Sequence, residues 1–305
     1  MKADFEKAKS YLYKNARPLD MARWRFLFED GSREDVLHIL AAYQNSDGGF
    51  GHALEPDCWS PLSSPIQTWV ATEILGELRI EDSTHPMIRG ILRYLGSGQD
   101  FDGAVWANSV PANNDYPHAT WWQYTPGQKP SYNPTACLAG FIIRHAESDS
   151  PVYALGCRLA RESYRYFKAH DLLDEMHTVS CFIRLYDYLT VAGAEDLVDL
   201  TEFGDLLCRR IQTVITADKS KWDIEYVCKP SLFIRSKESI FYRQNREIAD
   251  YECEFIAKTQ QPDGTWGITF SWDAYPEEWS VSKNWWKCDL ILQNLKYVKQ
   301  LTASS

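Results

Sequence analysis

A turn that recurs three times constrains this chain more than any other feature of its sequence. Each copy runs from a glutamine through polar residues and an Asp-Gly pair to an aromatic residue, and the copies lie at 44–50, 99–106 and 260–266. In the second copy the aromatic residue falls one position late. Asp-Gly reverses the chain direction at low steric cost. Because an apolar segment precedes and follows each turn, the pattern predicts a repeated helical hairpin.

Apolar residues recur every three or four positions along most of the chain, which predicts α-helices. The predicted helices span residues 4–14, 19–28, 34–43, 66–78, 87–95, 135–145, 151–168, 176–189, 197–214, 248–259 and 284–299. Segment 222–240, which Pro230 interrupts, is either a short inner helix or irregular chain. If it is a helix, the chain contains six helical hairpins, the number that a closed ring of six inner and six outer helices requires.

Polarity separates the expected inner helices from the outer ones. Segments 66–72, 135–140 and 178–182 carry small residues at close intervals, which suits a crowded centre. Their partners, which begin near Glu34, Pro151 and Glu195, carry charges on one face. No linker or shift in composition divides the chain. We therefore predict an all-α fold, an (α/α)6 toroid around a central cavity, as a single domain over residues 1–305.

Composition excludes several classes of protein. The formal net charge of -10 argues against nucleic acid, whose binding rests on Lys and Arg. No apolar run approaches the roughly 18 to 20 residues of a membrane span, and the first residues are charged where a signal peptide is apolar. The eight cysteines include no Cys-x-x-Cys pair, as expected for free thiols. We predict a cytoplasmic protein with no transmembrane segment, no metal and no cofactor.

The first and third turns resemble the QW repeats of the squalene cyclase and protein prenyltransferase superfamily, whose fold is an α/α toroid. The chain contains no Asp-x-Asp-Asp, the acidic motif of the cyclases that begin by protonation. The spacing of Glu55-Pro56-Asp57 resembles instead the single aspartate of the prenyltransferases. Those enzymes hold zinc with an Asp and a Cys two positions apart, whereas Asp57 and Cys58 are adjacent. The resemblance thus makes Asp57 a candidate acid by its position alone, and a helix N-cap or a brace of the loop is the alternative role.

Three long loops, at 52–65, 113–124 and 272–279, combine carboxylates and imidazoles with many Trp and Tyr residues. Inner helices of an alternating ring begin at one end, so we expect these loops to border one pocket. The candidate catalytic residues are Asp57, Glu55, His118 and Glu277. The candidate substrate-binding residues are His52, Trp59, Asp115, Tyr116, Trp121, Trp122, Tyr124, His177 and Trp279.

Three functions suit these residues. The first is a terpenoid cyclase-like enzyme, an isomerase or lyase in which a carboxylic acid protonates an isoprenoid and aromatic faces stabilise the cation. The second is a carbohydrate-active hydrolase or lyase, in which a carboxylate pair acts on a saccharide and aromatic rings stack on the sugar. The third is a binding or scaffold toroid without catalysis. Each of the first two predicts a small-molecule substrate.

Overall fold

The computed structural model describes residues 3–128, 131–172 and 175–302. These residues contain α-helices, short 3-10 helices and no β-strand, so the predicted all-helical class is confirmed. The α-helices are α1 (Phe5–Asn15), α2 (Pro18–Phe28), α3 (Arg33–Leu40), α4 (Pro65–Glu77), α5 (Pro86–Gly96), α6 (Thr135–His145), α7 (Pro151–Ala169), α8 (Met176–Ala192), α9 (Leu200–Val214), α10 (Tyr242–Thr259) and α11 (Pro276–Thr302). Each predicted helix overlaps one of these.

Local sequence explains where several helices begin. Proline occupies the first position of α4, α5 and α7, where its missing N–H costs no helical hydrogen bond. The preceding Ser64 and Ser150 accept hydrogen bonds from the backbone N–H groups of Gln67 and Tyr153. These serines satisfy amide groups that have no partner within the helix. The loop ahead of α4 is thereby fixed at its junction with the helix.

The structure settles segment 222–240, which the sequence left open, and it moves the starts of two helices, of which α10 begins at Tyr242 and not at residue 248. Segment 222–240 contains only a 3-10 turn at Pro230–Leu232, so it is irregular chain and not an inner helix. α11 begins at Pro276, eight residues before the predicted start, with Glu277 and Glu278 in its first turn. Proline and acidic residues both favour a helix N-terminus. Glu277 and Trp279 therefore lie on a helix, whereas the prediction placed them in a loop.

The contacts divide the chain into two compact units, one of residues 40–210 and the other of the residues before 40 and after 210. In the 40–210 unit, α6 packs against α4, α5, α7 and α8, and all its residues except Arg144 are buried. In the other unit, α11 packs against α1, α2 and α10. The first and last helices of the chain are thus neighbours. The single domain over 1–305 stays a prediction.

The first repeat turn docks on α5. The amide Nε2 of Gln44 donates to Gly48 O at 3.0 Å across the turn and to Met87 O at 3.1 Å in α5. Gly48 has a φ of 97°, and a Cβ there would lie 2.1 Å from Gly90 O. Only glycine combines this backbone conformation with such a close approach. The glycine of the Asp-Gly turn therefore lets the backbone of the turn approach the backbone of α5 closely.

The third repeat turn makes the same contacts with α1. Gln260 Nε2 donates to Gly264 O at 3.1 Å and to Asp4 O at 3.0 Å, at the N-cap of α1. Gly264 has a φ of 91°, and a Cβ there would lie 2.3 Å from the carbonyl carbon of Lys7. The two turns are equivalent in hydrogen bonding, glycine conformation and the helix end on which they dock.

The second turn keeps only part of this arrangement. Gly103 has a φ of 99°, yet nothing lies within 4 Å of a Cβ placed on it. Its aromatic residue nevertheless matches the first copy, because Trp106 N donates to Thr135 Oγ1 at 2.9 Å as Phe50 N donates to Thr68 Oγ1 at 3.1 Å. Both threonines lie in the first turn of a following helix. The turn whose aromatic residue falls one position late is thus the turn whose glycine does not pack against a helix.

Candidate functional site

The loop at 51–64 is held by one buried side chain of α4. Gln67 Oε1 accepts from Leu54 N at 2.9 Å, and its Nε2 donates to Ser60 O at 3.1 Å. His52 and Ala53 have φ values of 60° and 58°, in the left-handed region that residues with a Cβ rarely adopt. Two consecutive residues of this kind cost free energy, and they persist only where the surrounding structure fixes them. The loop therefore has a defined shape.

This loop pairs with the loop at 113–124, whereas the pocket that the candidate loops were expected to border stays a prediction. Cys58 and His118 form an antiparallel bridge. Asp57 O accepts from Ala119 N at 2.9 Å, and Trp59 N donates to Pro117 O at 3.0 Å. The pairing brings the segment that contains Asp57 next to the segment that contains His118. The two predicted catalytic residues are neighbours in space.

Their side chains are withdrawn from solvent. Asp57 is 2 % exposed, Glu55 7 % and His118 4 %. The charges of Glu55 and Asp57 reach the thiol of Cys58, whose pKa rises to about 12 through desolvation first and through these carboxylates second. Cys58 is therefore a neutral thiol at neutral pH, and it donates to Asn113 Oδ1 at 3.4 Å. It is not a nucleophile.

Both ring nitrogens of His118 contact groups of its own loop. Nδ1 lies 2.6 Å from Tyr116 O, which only accepts, so Nδ1 carries a proton. Nε2 lies 2.9 Å from Gln123 Oε1, and Gln123 Nε2 donates to Tyr124 O at 3.4 Å. The imidazole is held at both ends, as a positioned acid or base must be.

The rest of the 113–124 loop is braced internally. Asn113 Nδ2 donates to Trp122 O at 3.0 Å, and Asn114 Nδ2 donates to Tyr124 O at 3.1 Å. The Trp122 indole Nε1 is buried and has no hydrogen-bond partner among the described residues. Trp121 is 42 % exposed. An unpaired buried indole N–H costs free energy unless a ligand accepts from it.

Other candidate residues lie toward solvent. His52 is exposed and contacts Asn45 Oδ1 at 3.0 Å, and Asp115 is also exposed. Trp59 is half-buried, and its Nε1 donates to Pro56 O at 3.2 Å. His177, at the start of α8, is exposed even though desolvation by the surrounding protein lowers its pKa.

Glu277 and Trp279 belong to the other unit, where Trp279 joins an aromatic cluster. Ring centroids of Trp279 lie 5.7 Å from Trp272 and 5.8 Å from Phe270, and Phe270 lies 5.7 Å from Trp286. Trp272 is buried, whereas the other three rings are half-buried. Glu277 itself is exposed. A shared pocket for Glu277 and Asp57 stays a prediction.

Sequence reasoning missed an ion cluster around the buried Arg184, between α4 and α8. Arg184 of α8 donates from Nε to Glu73 Oε2 at 3.2 Å and from Nη1 to Asp187 Oδ2 at 2.8 Å. Its side chain is 6 % exposed, and Nη2 is buried without a partner in the described chain. The signal was present, since Arg184 interrupts an apolar run between Val179 and Leu185. A buried arginine requires acidic partners.

A second missed residue is Glu252 of α10, which is 1 % exposed. Its carboxyl accepts from Ser231 N at 2.7 Å and lies 2.6 Å from Ser231 Oγ. Burial raises the pKa of Glu252 to about 7, and hydrogen bonds from Ser231 only partly offset this effect. Its position on the same face as Ala249 and Ile256 was the available sequence signal.

Among the described residues, no group of three or more His, Cys, Asp or Glu side chains is arranged to hold a metal ion. No helix in the described ranges is long and apolar enough to cross a membrane. In comparisons with known proteins, no family model, no curated protein and no solved structure matches this chain. The function is therefore argued from the site alone.

Proposed function

We propose that this protein is a terpenoid cyclase-like enzyme in which Asp57 protonates an isoprenoid substrate. The observation that carries the proposal is the burial of Asp57 in a segment whose backbone hydrogen-bonds to the segment that contains His118. Removing a carboxyl group from water disfavours its ionised form and so keeps a proton available for transfer. His118 lies in the paired segment, and its ring nitrogens contact Tyr116 O and Gln123 Oε1.

The fixed backbone of the loop supports the same role. The left-handed residues His52 and Ala53 lie immediately before Leu54 and Glu55, where the chain turns toward Asp57. Backbone strain of this kind is concentrated at functional sites. The free energy that it costs is offset by the hydrogen bonds of Gln67 to Leu54 and Ser60. A loop that only connected two helices would have no need of this conformation.

An (α/α)6 toroid is part of the proposal. Equivalent turns at 44–50 and 260–266 dock on α5 and on α1, and α1 packs against the last helix, α11. A chain whose last repeat docks on its first helix is what a closed ring requires. The irregular segment at 222–240 would replace one inner helix of the ring.

A carbohydrate-active enzyme is the second candidate, and Trp122 favours it. Its unpaired indole N–H would find an acceptor in a sugar hydroxyl but none in a hydrocarbon. The ion cluster of Arg184 and Glu73 also suits a polar ligand better than an isoprenoid.

Incubation of the purified protein with a matched panel decides between the two. The panel contains squalene, farnesyl and geranylgeranyl diphosphates, and oligosaccharides of glucose, N-acetylglucosamine and uronic acids. Native mass spectrometry reports binding, and gas or liquid chromatography reports products. We expect a cyclised or isomerised isoprenoid that Asp57→Asn does not form. Shortened oligosaccharides would support the second candidate, and binding without turnover across the whole panel would refute both enzymes.

A further inference from the structure

We propose that a groove on α7 binds the phosphate group of a small phosphate monoester. The residues that line this groove are distant in sequence from the loops that contain Asp57 and His118. The groove has a volume of about 410 Å³, a size typical of small-molecule sites. Its lining comes from α7 and from the segment that leads into α9: Arg161, Tyr164, Arg165, Lys168, Leu197, Val198 and Asp199. The inference does not depend on the proposed function.

Three cations face the groove from consecutive turns of one helix. Arg161, Arg165 and Lys168 are spaced by four and three residues, so they project from the same face of α7. Arg161 and Arg165 are exposed, and neither forms an ion pair within the described ranges. By contrast, Arg158 on the same helix pairs with Glu162 at 3.1 Å. In a protein of net charge -10, two adjacent unpaired guanidinium groups are a distinctive feature.

The acids near the groove are already engaged. Glu202 lies 2.7 Å from Lys168 Nζ and accepts a hydrogen bond from the Tyr164 hydroxyl, and these two contacts lower the pKa of Glu202. Asp199 Oδ1 accepts from Glu202 N at 2.9 Å, as the N-cap of α9. Both carboxylates are thus directed at protein donors. The guanidinium groups of Arg161 and Arg165 are left to bind an external anion.

Phosphate fits this donor set better than a single carboxylate does. Guanidinium groups bind phosphate through two parallel N–H donors, and two arginines one turn apart can share its oxygens. The other wall is apolar, with Leu197 half-buried and Val198 buried, and the Tyr164 ring packs against Phe203 at 5.2 Å. These groups would contact the organic part of the ligand. A phosphate monoester with an apolar substituent meets both walls.

Isothermal titration with phenyl phosphate tests the site, with phenol and inorganic phosphate as comparison ligands. We expect saturable binding of phenyl phosphate, weaker binding of inorganic phosphate and no binding of phenol. The double variant Arg161→Gln/Arg165→Gln should weaken phenyl phosphate binding at least about tenfold, since charge-assisted hydrogen bonds are lost. Both positions are exposed, so the variant should fold, and an unchanged melting temperature checks this.

Arg158→Gln is the matched control, because it removes one positive charge from the same helix outside the groove. It should leave phenyl phosphate binding within about twofold of the unmodified protein, as expected for an exposed charge that only adds to the general field. If phenyl phosphate shows no saturable binding up to millimolar concentration, the proposed site is wrong. An equal loss of affinity in the Arg158→Gln control would also overturn it, because binding would then follow net charge alone.

Discussion

Glu252 makes the stability of this protein depend on pH in a direction that one substitution can test. The carboxyl group is buried between α10 and the 3-10 turn at Pro230–Leu232, and its pKa is raised from 4.5 to about 7. The folded protein therefore holds a proton that the unfolded chain has released. Stability contributed by this proton is present below pH 4.5 and is lost as the pH rises through about 7.

The expected loss follows from the two pKa values. A difference of one pKa unit corresponds to about 1.4 kcal/mol, so the interval from 4.5 to about 7 corresponds to about 3 kcal/mol at pH 8. Glu252→Gln imitates the protonated acid. Its amide oxygen can accept from Ser231 N, and its NH2 group can donate to Ser231 Oγ, which rotates to accept.

Urea unfolding of Glu252→Gln between pH 5 and 8.5 is the measurement. The variant should match the unmodified protein near pH 5 and be more stable by about 3 kcal/mol at pH 8, where the unmodified protein buries a charge. Glu254→Gln is the control on the same helix, because Glu254 is exposed and pairs with Lys258 at 3.2 Å. A difference between Glu252→Gln and the unmodified protein that does not grow with pH would refute the reasoning.

Two further predictions concern the packing of the 40–210 unit. Gly48→Ala should lower the free energy of unfolding by about 3 kcal/mol or more, since its Cβ would lie 2.1 Å from a carbonyl oxygen. Gly103→Ala, at nearly the same φ, should lower it by about 1 kcal/mol. Equal melting temperatures of the two variants would contradict the docking role of Gly48. Glu73→Gln should lower the free energy of unfolding by about 2 kcal/mol, because the buried Arg184 loses one of its two carboxylate partners. Adding Arg184→Met to this variant should restore most of the lost stability. Strict additivity in urea unfolding would show that the two residues are not coupled.

The sequence predicted the helices and the repeat turns because local chemistry determines both. Gln44 and Gln260 follow a helix and precede Asp-Gly, and short-range hydrogen bonds alone account for the turn that results. The docking of Gly48 on α5 and of Gly264 on α1 joins residues far apart in sequence, so the helices on which the turns dock could not be predicted from local chemistry. Segment 222–240 could not be assigned, because its apolar residues have no clear period and Pro230 permits either structure.

The sequence indicated which residues to consider for the candidate site, but only partly which of them lie close together. Asp57 and His118 were chosen for their loops, but their proximity rests on a bridge between residues 58 and 118, which no local pattern encodes. Glu252 and Arg184 each interrupt an apolar stretch of their helix, but that pattern identifies a buried charge only when the packing of the helix is known. Glu277 was assigned to a loop because the residues before 284 lack apolar periodicity, whereas Pro276 and the acids after it favour a helix start.

The central claim is that Asp57 delivers a proton, and Asp57→Asn tests it most directly. The amide keeps the shape of the side chain but cannot donate an acidic proton, so turnover of the isoprenoid found in the panel should fall by about a thousandfold. The melting temperature should stay close to that of Asp149→Asn, a control at an exposed turn. An Asp57→Asn protein that is less stable but fully active would contradict the account, since Asp57 would then only brace its loop.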